Sequence, residues 1–523
     1  MKVQLAGKIG PLAKATGFEL ERRGHIVTAN SPDAAIFFPG TVPELEQVAG
    51  VRRLIVRSNA YCYGSNDKNP GWMTEDRVSL LPSGAPEQSW LQAEMAAARH
   101  PNSASIRLAN VLDPGEDGLI VQQLSSRFAV TQAGRDPNVQ FLSLSDAASA
   151  MACAVESDIR GTVNAAASGA IPLRQTHRAA GVTRLPLLKP LARLAGGNAI
   201  DQLEFNWTVS NQLAQSAMGF HPTCTSVGAL RAFLQSKNGA RPDLLRDSYD
   251  DWGLDLDYIR AWGLWFAFLR NVYWRIECEG LENIPAVGRA LLVSNHRGFM
   301  PLDAVMHLST ILNGRGRVVR FLIIHSLLRL PFLSNFLTRL GGVIASQENA
   351  AKLFVDENLV GIFPEGIRGA FSPYKSAYEL RNFSKSGFAK IAIENQAPVI
   401  PSAVVGHAEI FPILGRIESS YLKREFGWPY LPIAPMFPLA PVPLPSKWHM
   451  RILPAVPLEG LRAADAENPR LVKDFSSHIQ NIVQTHINDM ITRRKRIFWG
   501  KLSGGTAPLN PPFRRAFSGG QIS

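Results

Sequence analysis

The chain begins with short apolar runs that alternate with a longer segment of helical periodicity. KVQLA at 2–6 is followed by a glycine-bearing turn and by LAKATGFELERRG, whose apolar positions recur at the helical spacing and stop at Gly24. A further apolar run, HIVTA at 25–29, comes next. The pattern predicts strand, helix and strand, which is the start of a β-α-β unit.

The interval to the following apolar run is unusually short. Only a few residues separate Asn30 from AAIFF at 34–38, whereas a crossover between parallel strands takes about a dozen residues. We therefore expect one helix–strand unit to be missing from this part of the fold.

In the second half, apolar strands run into turns that carry polar side chains. The segments are ALLVSNHRGFMPLDAVM at 290–306, GGVIASQENAAKLF at 341–354, LVGIFPEGIRG at 359–369 and FSKSGFAKIAIENQAPVIPSAVVG at 383–406. Strands and helices alternate here as well, which predicts a second α/β domain.

The length and composition agree with two packed domains. The chain has 523 residues, of which 46% are hydrophobic and 19% charged, which excludes a disordered tail or a disulfide-stapled miniprotein. The polar segment 237–255 carries Gly and Pro and is predicted to be a linker. We expect a domain at 1–236, a second domain at 256–490, and a basic, partly disordered tail at 491–523.

The charge and the cysteines narrow the class of protein. The net charge of +12 calls for an acidic partner surface such as anionic lipid, nucleic acid or a phosphorylated substrate. Four scattered cysteines without metal-type spacing argue against a zinc ribbon or a disulfide framework and favour the cytoplasmic side. We expect no bound metal. We expect no signal peptide, because the N-terminus lacks a long apolar run, and no membrane span, because no apolar run reaches about 18 residues.

Three kinds of segment favour a membrane surface over nucleic acid. The segment 256–280 interleaves aromatic residues with arginines, which suits a helix in the headgroup layer, although a helix buried against the second domain fits equally. The apolar stretches 318–342 and 428–445 could pack in a core, hold an acyl chain or touch a bilayer. Basic and aromatic residues adjoin at 493–501, and no nucleic-acid-binding fold is visible. We expect a peripheral protein on the cytoplasmic face of an anionic membrane. The sequence does not indicate its oligomeric state.

Ordered fragments of the first half resemble the extended short-chain dehydrogenases, the nucleotide-sugar epimerase/dehydratase family. They are RLIVRSNAYCYG at 53–64, SIRLANVLDPG at 105–115, VQFLSLSDAASAMACAV at 139–155, GTVNAAA at 161–167 and WTVSNQLAQSAMGFHPTCTSVGALRAFL at 207–234. The resemblance implies a truncated, doubly wound Rossmann-like domain. Gly7, Gly10 and Ala13 stand where its pyrophosphate-binding turn needs small residues.

The catalytic pair of that family is not present. Its Tyr-x-x-x-Lys pair corresponds to Trp90 and Glu94, and its serine position corresponds to Asn59. An indole does not titrate near neutral pH, and a carboxylate cannot supply the positive charge of lysine. Asn30 also replaces the acidic residue that would hold the ribose, although Asp33 is close. We expect a degenerate domain without redox activity, in which NAD(P) binding is doubtful.

In the second half, one histidine and two acids carry candidate chemistry. His296 follows a predicted strand and Asp303 lies shortly after it, which is the arrangement of a general base whose tautomer is fixed by a carboxylate. A lone histidine of this kind can equally be structural. The turn with Glu365, Gly366 and Arg368 resembles an anion-handling loop, because arginine binds phosphate oxygens and glycine permits close backbone approach.

Four ordered motifs of the second half resemble the glycerolipid acyltransferases, which include lysophosphatidate acyltransferases. The motifs are Asn295-His296, Gly341-Gly342, Phe363-Pro364-Glu365-Gly366-x-Arg368 and Val399-Ile400-Pro401, within 275–460. The resemblance implies that His296 is the general base and Asp303 orients it. It implies that Glu365, Gly366 and Arg368 bind the acceptor, with Asn295, Phe363, Pro364 and Pro401 in support. No cofactor is then required beyond the acyl-CoA or acyl carrier protein donor.

Departures from the family pattern bear on the acceptor. The usual His-x4-Asp spacing is expanded to six residues between His296 and Asp303, which requires the turn at Gly298 and Pro301 to bulge. Gln347 and Gly369 stand where the family often has an arginine and a small hydroxyl residue. Both changes remove phosphate donors, so a neutral acceptor or a larger glycolipid gains weight over lysophosphatidate.

The sequence thus predicts a membrane-associated O-acyltransferase that moves an acyl chain from a thioester to a glycerolipid or glycolipid hydroxyl. Two alternatives stay open. The N-terminal domain could work as an NAD(P)-dependent nucleotide-sugar enzyme, or the whole chain could be a lipid-surface scaffold without catalysis.

Overall fold

The computed structural model describes residues 1–38, 42–69, 71–81, 85, 88–116, 118–247, 249–381, 383, 387–439 and 442–504. The chain forms two compact units, each with helices packed on a mostly parallel sheet, so the predicted α/β class is confirmed. The first unit comprises Met1–Asp255 together with Leu330–Arg339, and the second comprises Leu256–Arg329 together with the chain from Leu340.

The first unit is built on a six-stranded parallel sheet. From one edge to the other its strands are Gly161–Ala165, Ser103–Leu108, Arg53–Asn59, Ala34–Phe38, Lys2–Gly7 and Ile26–Val27. All five residues of Ala34–Phe38 are buried. Alternate side chains enter different cores, since Ile36 packs in one cluster and Phe37 in the other. Because helices cover both faces, such a strand is a continuous apolar run, and the Rossmann-like prediction is confirmed.

No further strand lies beyond Ile26–Val27 at this edge among the described residues of the sheet, as expected if one helix–strand unit is missing. That strand is two residues long, shorter than the predicted 25–29, and Val27 stops level with Val3. Strand Ala34–Phe38 begins level with the same residue. The connection therefore only has to pass the end of the first strand, and no long crossover is needed.

Helices of the first unit lie at Pro11–Arg22, Val42–Val48, Gln88–Ala97, Leu119–Ser125, Leu144–Glu156, Leu173–Ala179, Lys189–Gly196, Gln212–Met218, Ser226–Leu234 and Leu333–Arg339. Short strands pair at Phe128–Gln132 with Thr183–Leu187, at Asn110–Leu112 with Phe141–Ser143, and at Asn138–Val139 with Ile171–Pro172.

Two segments of the first unit lie outside the predicted 1–236. Trp252, within the predicted linker, is buried, and its carbonyl accepts a hydrogen bond from Asn138. Phe332 donates its backbone N–H to the Gly134 carbonyl at 2.9 Å, and Arg339 bonds Asp255 at 2.6 Å. The predicted domain limits stay predictions, but both segments pack as parts of this unit.

The second unit contains a seven-stranded sheet. From edge to edge its strands are Glu277–Glu279, His449–Ile452, Val399–Val405, Ala290–Ser294, Leu359–Ile362, Val319–Ile323 and Val343–Ile344. The pair Val399–Val405 and His449–Ile452 is antiparallel, and the other pairs are parallel. Ala290–Ser294 is central and fully buried, which places the residues that follow it at the middle of the sheet edge.

Helices of the second unit lie at Leu256–Ala261, Gly263–Phe268, Leu302–Arg315, Gln347–Val355, Gly366–Ala370, Phe388–Glu394, Ser420–Phe426 and Pro469–Arg493. A short antiparallel pair joins Gly415–Ile417 to Leu431–Ile433. In the part of the chain that the structure describes, no helix is long and apolar enough to cross a membrane. The four cysteines form no disulfide bond. Residues 505–523 of the predicted tail lie outside the described residues.

Candidate active site

Asn295 fixes the chain where the central strand ends. Its side chain amide donates to the Val404 carbonyl and accepts from the Val404 N–H, each at 2.9 Å. Asn295 is fully buried. Because this two-way bond ties the strand end to the neighbouring strand, the position of the next residue, His296, is set by the sheet itself.

His296 and Asp303 are in contact despite their expanded spacing. The Nδ1 atom of His296 lies 2.5 Å from Oδ2 of Asp303. Asp303 stands in the first turn of helix Leu302–Arg315, and Gly298 in the intervening turn has φ +76°. A left-handed backbone of this kind favours glycine, so the turn absorbs the two extra residues without separating the pair.

Asp303 is held in place as a hydrogen-bond acceptor. It is fully buried, and its Oδ1 accepts the Ala304 N–H at 2.9 Å. With Oδ2 taken by Nδ1 of His296, the imidazole carries its proton on Nδ1 and leaves Nε2 as the basic nitrogen. In the described part of the chain Nε2 has no hydrogen-bond partner, and the His296 side chain is 14% exposed. This nitrogen can therefore accept a proton from a bound hydroxyl.

Two aromatic rings support the pair. Phe363 stacks on the His296 imidazole with ring centres 4.6 Å apart. His307, one turn after Asp303 on the same helix, bonds the Asp303 carbonyl at 2.8 Å and Ser402 at 3.2 Å. Burial lowers the pKa of His307, so it is a neutral structural imidazole rather than a second base.

Arg297 is a site residue that the sequence analysis did not identify. Its guanidinium bonds Oε2 of Glu365 at 2.6 Å, and both side chains are almost completely buried. It also donates to the His296 carbonyl at 2.6 Å and to the carbonyls of Ala377 and Glu379. Its position beside His296 was the only signal in the sequence, since arginine is ordinarily exposed. The Arg297–Glu365 pair joins the histidine turn to the Glu365 loop.

Glu365 is fully engaged within the protein. Its second oxygen, Oε1, accepts the Arg381 N–H at 3.0 Å. Contact of Glu365 with an acceptor stays a prediction, and its observed contacts are with Arg297 and Arg381. Gly369 lies so close that an added Cβ would stand 2.5 Å from the Glu365 Cβ. The absence of a hydroxyl residue at this position therefore has a steric reason.

The other predicted site residues differ in whether they line the apolar groove beside His296. Gly366 lines it, and the Arg368 side chain is exposed and does not line it. Pro364 is partly buried beside Glu365. Pro401 lies in register with Val293, on the strand next to the one that Asn295 and His296 follow. Their proposed roles in binding stay predictions.

His296 opens into an apolar groove. Its walls come from the histidine turn, the strand and turn around residues 321–327, the Glu365 loop and the start of the segment 428–445. They comprise His296, Phe299, Pro301, Ala304, Phe321, Leu322, Ile323, Ile324, Leu327, Phe363, Gly366, Ile367, Ala370, Phe371 and Trp428. No lysine, arginine or carboxylate is among these lining residues. The groove can hold an alkyl chain beside a general base.

The residues predicted at the positions of a Tyr-x-x-x-Lys pair, Trp90 and Glu94, lie beside buried arginines. Glu94, at the lysine position, bonds Arg107 at 2.6 Å and accepts from Ser58 at 2.5 Å. Trp90, at the tyrosine position, stacks under the Arg57 guanidinium at 4.1 Å. Both side chains are engaged with arginines of the same unit.

The small residues Gly7, Gly10 and Ala13 do lie at the first turn of this unit. An added Cβ at Gly7 would stand 1.9 Å from the Phe38 carbonyl oxygen, so this glycine is required by packing between strands. Gly10 precedes helix Pro11–Arg22, and Ala13 is buried. Among the described residues, no group of three or more histidine, cysteine or acidic side chains could hold a metal ion.

Comparisons with known proteins separate the two halves. Residues 275–405 match the family model described as Acyltransferase. The uncharacterized protein ML2427 of Mycobacterium leprae (strain TN) is 30% identical over 306 residues, which cover 56% of this chain and 79% of that protein. The human DGAT1/2-independent enzyme synthesizing storage lipids is 28% identical over 164 residues, covering 31% of this chain and 50% of the human protein.

Thus the chain spans half the length of the human storage-lipid enzyme that it resembles. Among solved structures, the UDP-N-acetylglucosamine 4-epimerase from Bacillus cereus is 14% identical, with a TM-score of 0.35, and the match covers 46% of this chain and 100% of the epimerase chain.

Proposed function

We propose a function on the premise that the chain belongs to the family of the uncharacterized Mycobacterium leprae protein ML2427 and carries an Acyltransferase domain at residues 275–405. The chain is an acyltransferase that acts in lipid metabolism. We propose that it transfers an acyl chain from acyl-CoA or acyl carrier protein to the hydroxyl of a neutral glycerolipid or glycolipid. The observation that carries the proposal is the His296–Asp303 pair at the mouth of an apolar groove.

In the proposed mechanism, His296 removes the hydroxyl proton of the acceptor as its oxygen attacks the thioester carbonyl. A C–O bond forms, the tetrahedral intermediate collapses, and the C–S bond breaks. The proton held on Nε2 then passes to the departing thiolate. Asp303 holds the imidazole in the required tautomer and stabilises the imidazolium that forms between the two steps. The acyl chain lies in the apolar groove.

The lining of the groove supports an uncharged acceptor. Among the described residues that line it none is cationic, and the buried arginine beside the histidine, Arg297, is already bonded to Glu365. A phosphate of the acceptor placed beside His296 would lose its hydration without gaining a charged partner, which is costly in free energy. The name of the human relative, an enzyme synthesizing storage lipids, agrees with a neutral lipid product.

We therefore expect acyl transfer to diacylglycerol to exceed transfer to lysophosphatidate by at least about tenfold, the equivalent of roughly 1.4 kcal/mol of differential binding. The measurement is transfer of radiolabelled palmitate from palmitoyl-CoA to each acceptor, presented in the same mixed micelles and resolved by chromatography. A parallel run with a short-chain glycolipid alcohol separates glycerolipid from glycolipid acceptors. Equal or faster acylation of lysophosphatidate would contradict a neutral acceptor while leaving acyl transfer intact.

We further propose that the second unit binds a membrane through an aromatic surface, defined as Trp262, Leu264, Trp265, Phe268, Val272 and Trp499. These apolar side chains are exposed, Leu264 by 89%. Arg275 joins the two chain segments that carry them, because its guanidinium lies 4.5 Å from the Trp499 ring centre and bonds the Phe498 carbonyl at 2.7 Å. Lys495 and Arg496 are exposed next to Trp499.

This combination supports a peripheral membrane location better than a helix buried in a core. Transfer of exposed tryptophan and leucine side chains into the headgroup layer is favourable, and each adjacent cation stabilises binding to anionic lipids by about 1 kcal/mol. Trp274, by contrast, is fully buried, so the segment 256–280 packs one side on its own unit and presents the other.

We expect the double change Leu264→Ser and Trp265→Ser to weaken vesicle binding at least about tenfold, since burial of each side chain contributes roughly 1.5–3 kcal/mol. Binding is measured by co-sedimentation with vesicles of phosphatidylcholine and phosphatidylglycerol. Phe18→Ser is the matched control, because Phe18 is 71% exposed in the first unit. Unchanged sedimentation of the double variant would remove the aromatic surface as the membrane contact.

A further inference from the structure

A carboxylate of the protein occupies the anion position at the start of helix Pro11–Arg22. In dinucleotide-binding folds the pyrophosphate lies at the N-terminus of this helix, where backbone N–H groups are free and the helix dipole favours negative charge. Here Oε1 of Glu116 accepts the Leu12 N–H at 3.1 Å. No side chain of the preceding Gly10 can cap the helix, so Glu116 supplies the acceptor.

Arg57 completes the arrangement from the other side. Its Nη2 bonds Oε2 of Glu116 at 3.2 Å, and both side chains are largely buried, at 7% and 11% exposure. The guanidinium rests on the Trp90 ring. The carboxylate is therefore held between a helix N-terminus and an arginine, which is the chemistry that a phosphate would meet.

The local backbone is built to bring Glu116 to this position. Gly115 lies against the first residue of the helix, because an added Cβ would stand 2.7 Å from the Pro11 Cγ. The Gly115 N–H is in turn bonded to the Asp113 side chain at 2.8 Å. A larger residue at 115 would push the loop, and Glu116 with it, away from the helix.

From these contacts we infer that Glu116 is an internal substitute for a dinucleotide pyrophosphate and that the first unit is closed to NAD(P). An open cleft lies beside it, and Glu116 itself lines this cleft together with Lys8, Arg57 and Trp90. A pyrophosphate entering this cleft would meet the Glu116 carboxylate at close range, and like charges repel. The residues present thus do not fit the cofactor that the fold implies. The inference is independent of the proposed acyl transfer.

The test uses the full-length chain with NADH, NADPH and sodium pyrophosphate as probes. The wild-type protein is expected to show no saturable change in NADH or NADPH fluorescence up to about 1 mM, and no rise in melting temperature with pyrophosphate beyond that given by sodium chloride of equal ionic strength. Saturable binding of either dinucleotide below that concentration would overturn the inference.

The variant Glu116→Ala removes the internal anion. It is expected to melt roughly 2–4 °C lower, because a helix cap is lost, and millimolar pyrophosphate is expected to restore the difference. Glu21→Ala is the matched control, since Glu21 is exposed on the same helix; it should show neither effect. If Glu116→Ala fails to fold, Glu116→Gln replaces it, with a smaller loss and the same response. Unchanged melting of the variant, or no response to pyrophosphate, would overturn the inference.

Discussion

Replacement of His296 by alanine is expected to reduce acyl transfer by about 10²–10⁴-fold, the range that a positioned general base contributes. The His296 side chain hydrogen-bonds only Asp303 among the described residues and stacks on Phe363, so the variant is expected to keep its fold with a lower melting temperature. The measurement is the rate of transfer from palmitoyl-CoA to a saturating neutral acceptor, with the melting temperature recorded in parallel.

Two companion variants separate catalysis from structure. His221→Ala removes an exposed histidine of the first unit and should retain the wild-type rate. Asp303→Asn keeps a side chain of the same size beside Nδ1 but no longer enforces the tautomer, so kcat should fall while KM changes little. A His296→Ala protein that is folded and transfers acyl groups at the wild-type rate would disprove the assigned base.

Arg297→Met is expected to lower the free energy of unfolding of the second unit by about 3–5 kcal/mol. The change leaves Glu365 as a buried carboxylate whose charged partner is gone, which is the costly way to break a buried ion pair. It also removes the bonds to the His296, Ala377 and Glu379 carbonyls. Urea unfolding followed by circular dichroism measures the loss.

The double variant Arg297→Met with Glu365→Leu removes both charges and should recover a large part of the stability, because no isolated charge is left. Arg416→Met is the matched control: its guanidinium lies 3.8 Å from Glu418, and both side chains are mostly exposed, so it should cost at most about 1 kcal/mol. Equal losses for Arg297→Met and Arg416→Met would show that the buried pair does not join the two loops.

How far the sequence predicts the site depends on how local each relation is. His296 and Asp303 lie in one strand–turn–helix segment, so a strand end with a nearby acid indicated the pair, and the resemblance to the glycerolipid acyltransferases implied its roles. The expansion to six intervening residues was predicted to need a bulged turn, and Gly298 supplies it. Gly369 was interpreted as a lost phosphate donor, but its position against Glu365 and the His296 carbonyl is steric, and only coordinates display such a contact.

Relations between distant segments could not be derived from the sequence. Nothing near Arg297 indicates that it is buried, because Glu365 and Glu379, which its guanidinium binds, lie 68 and 82 residues further along the chain. Glu116 likewise follows a turn that has the sequence of an ordinary surface loop, whereas Leu12, whose N–H it binds, lies 104 residues before it. Buried charges paired across such intervals follow from the tertiary fold and leave no periodic signal.

The segment Leu330–Arg339 gives the chain an unusual thread. It leaves the second unit after Arg329, packs with the first unit at Gly134 and Asp255, and returns at Leu340. A simple end-to-end fusion of two domains has one crossing point between them, whereas this chain passes from one unit to the other after Asp255, after Arg329 and after Arg339. A chain that ends at residue 255 would therefore lack the helix Leu333–Arg339 of the first unit, and a chain that starts at residue 256 would carry that helix without the unit on which it packs.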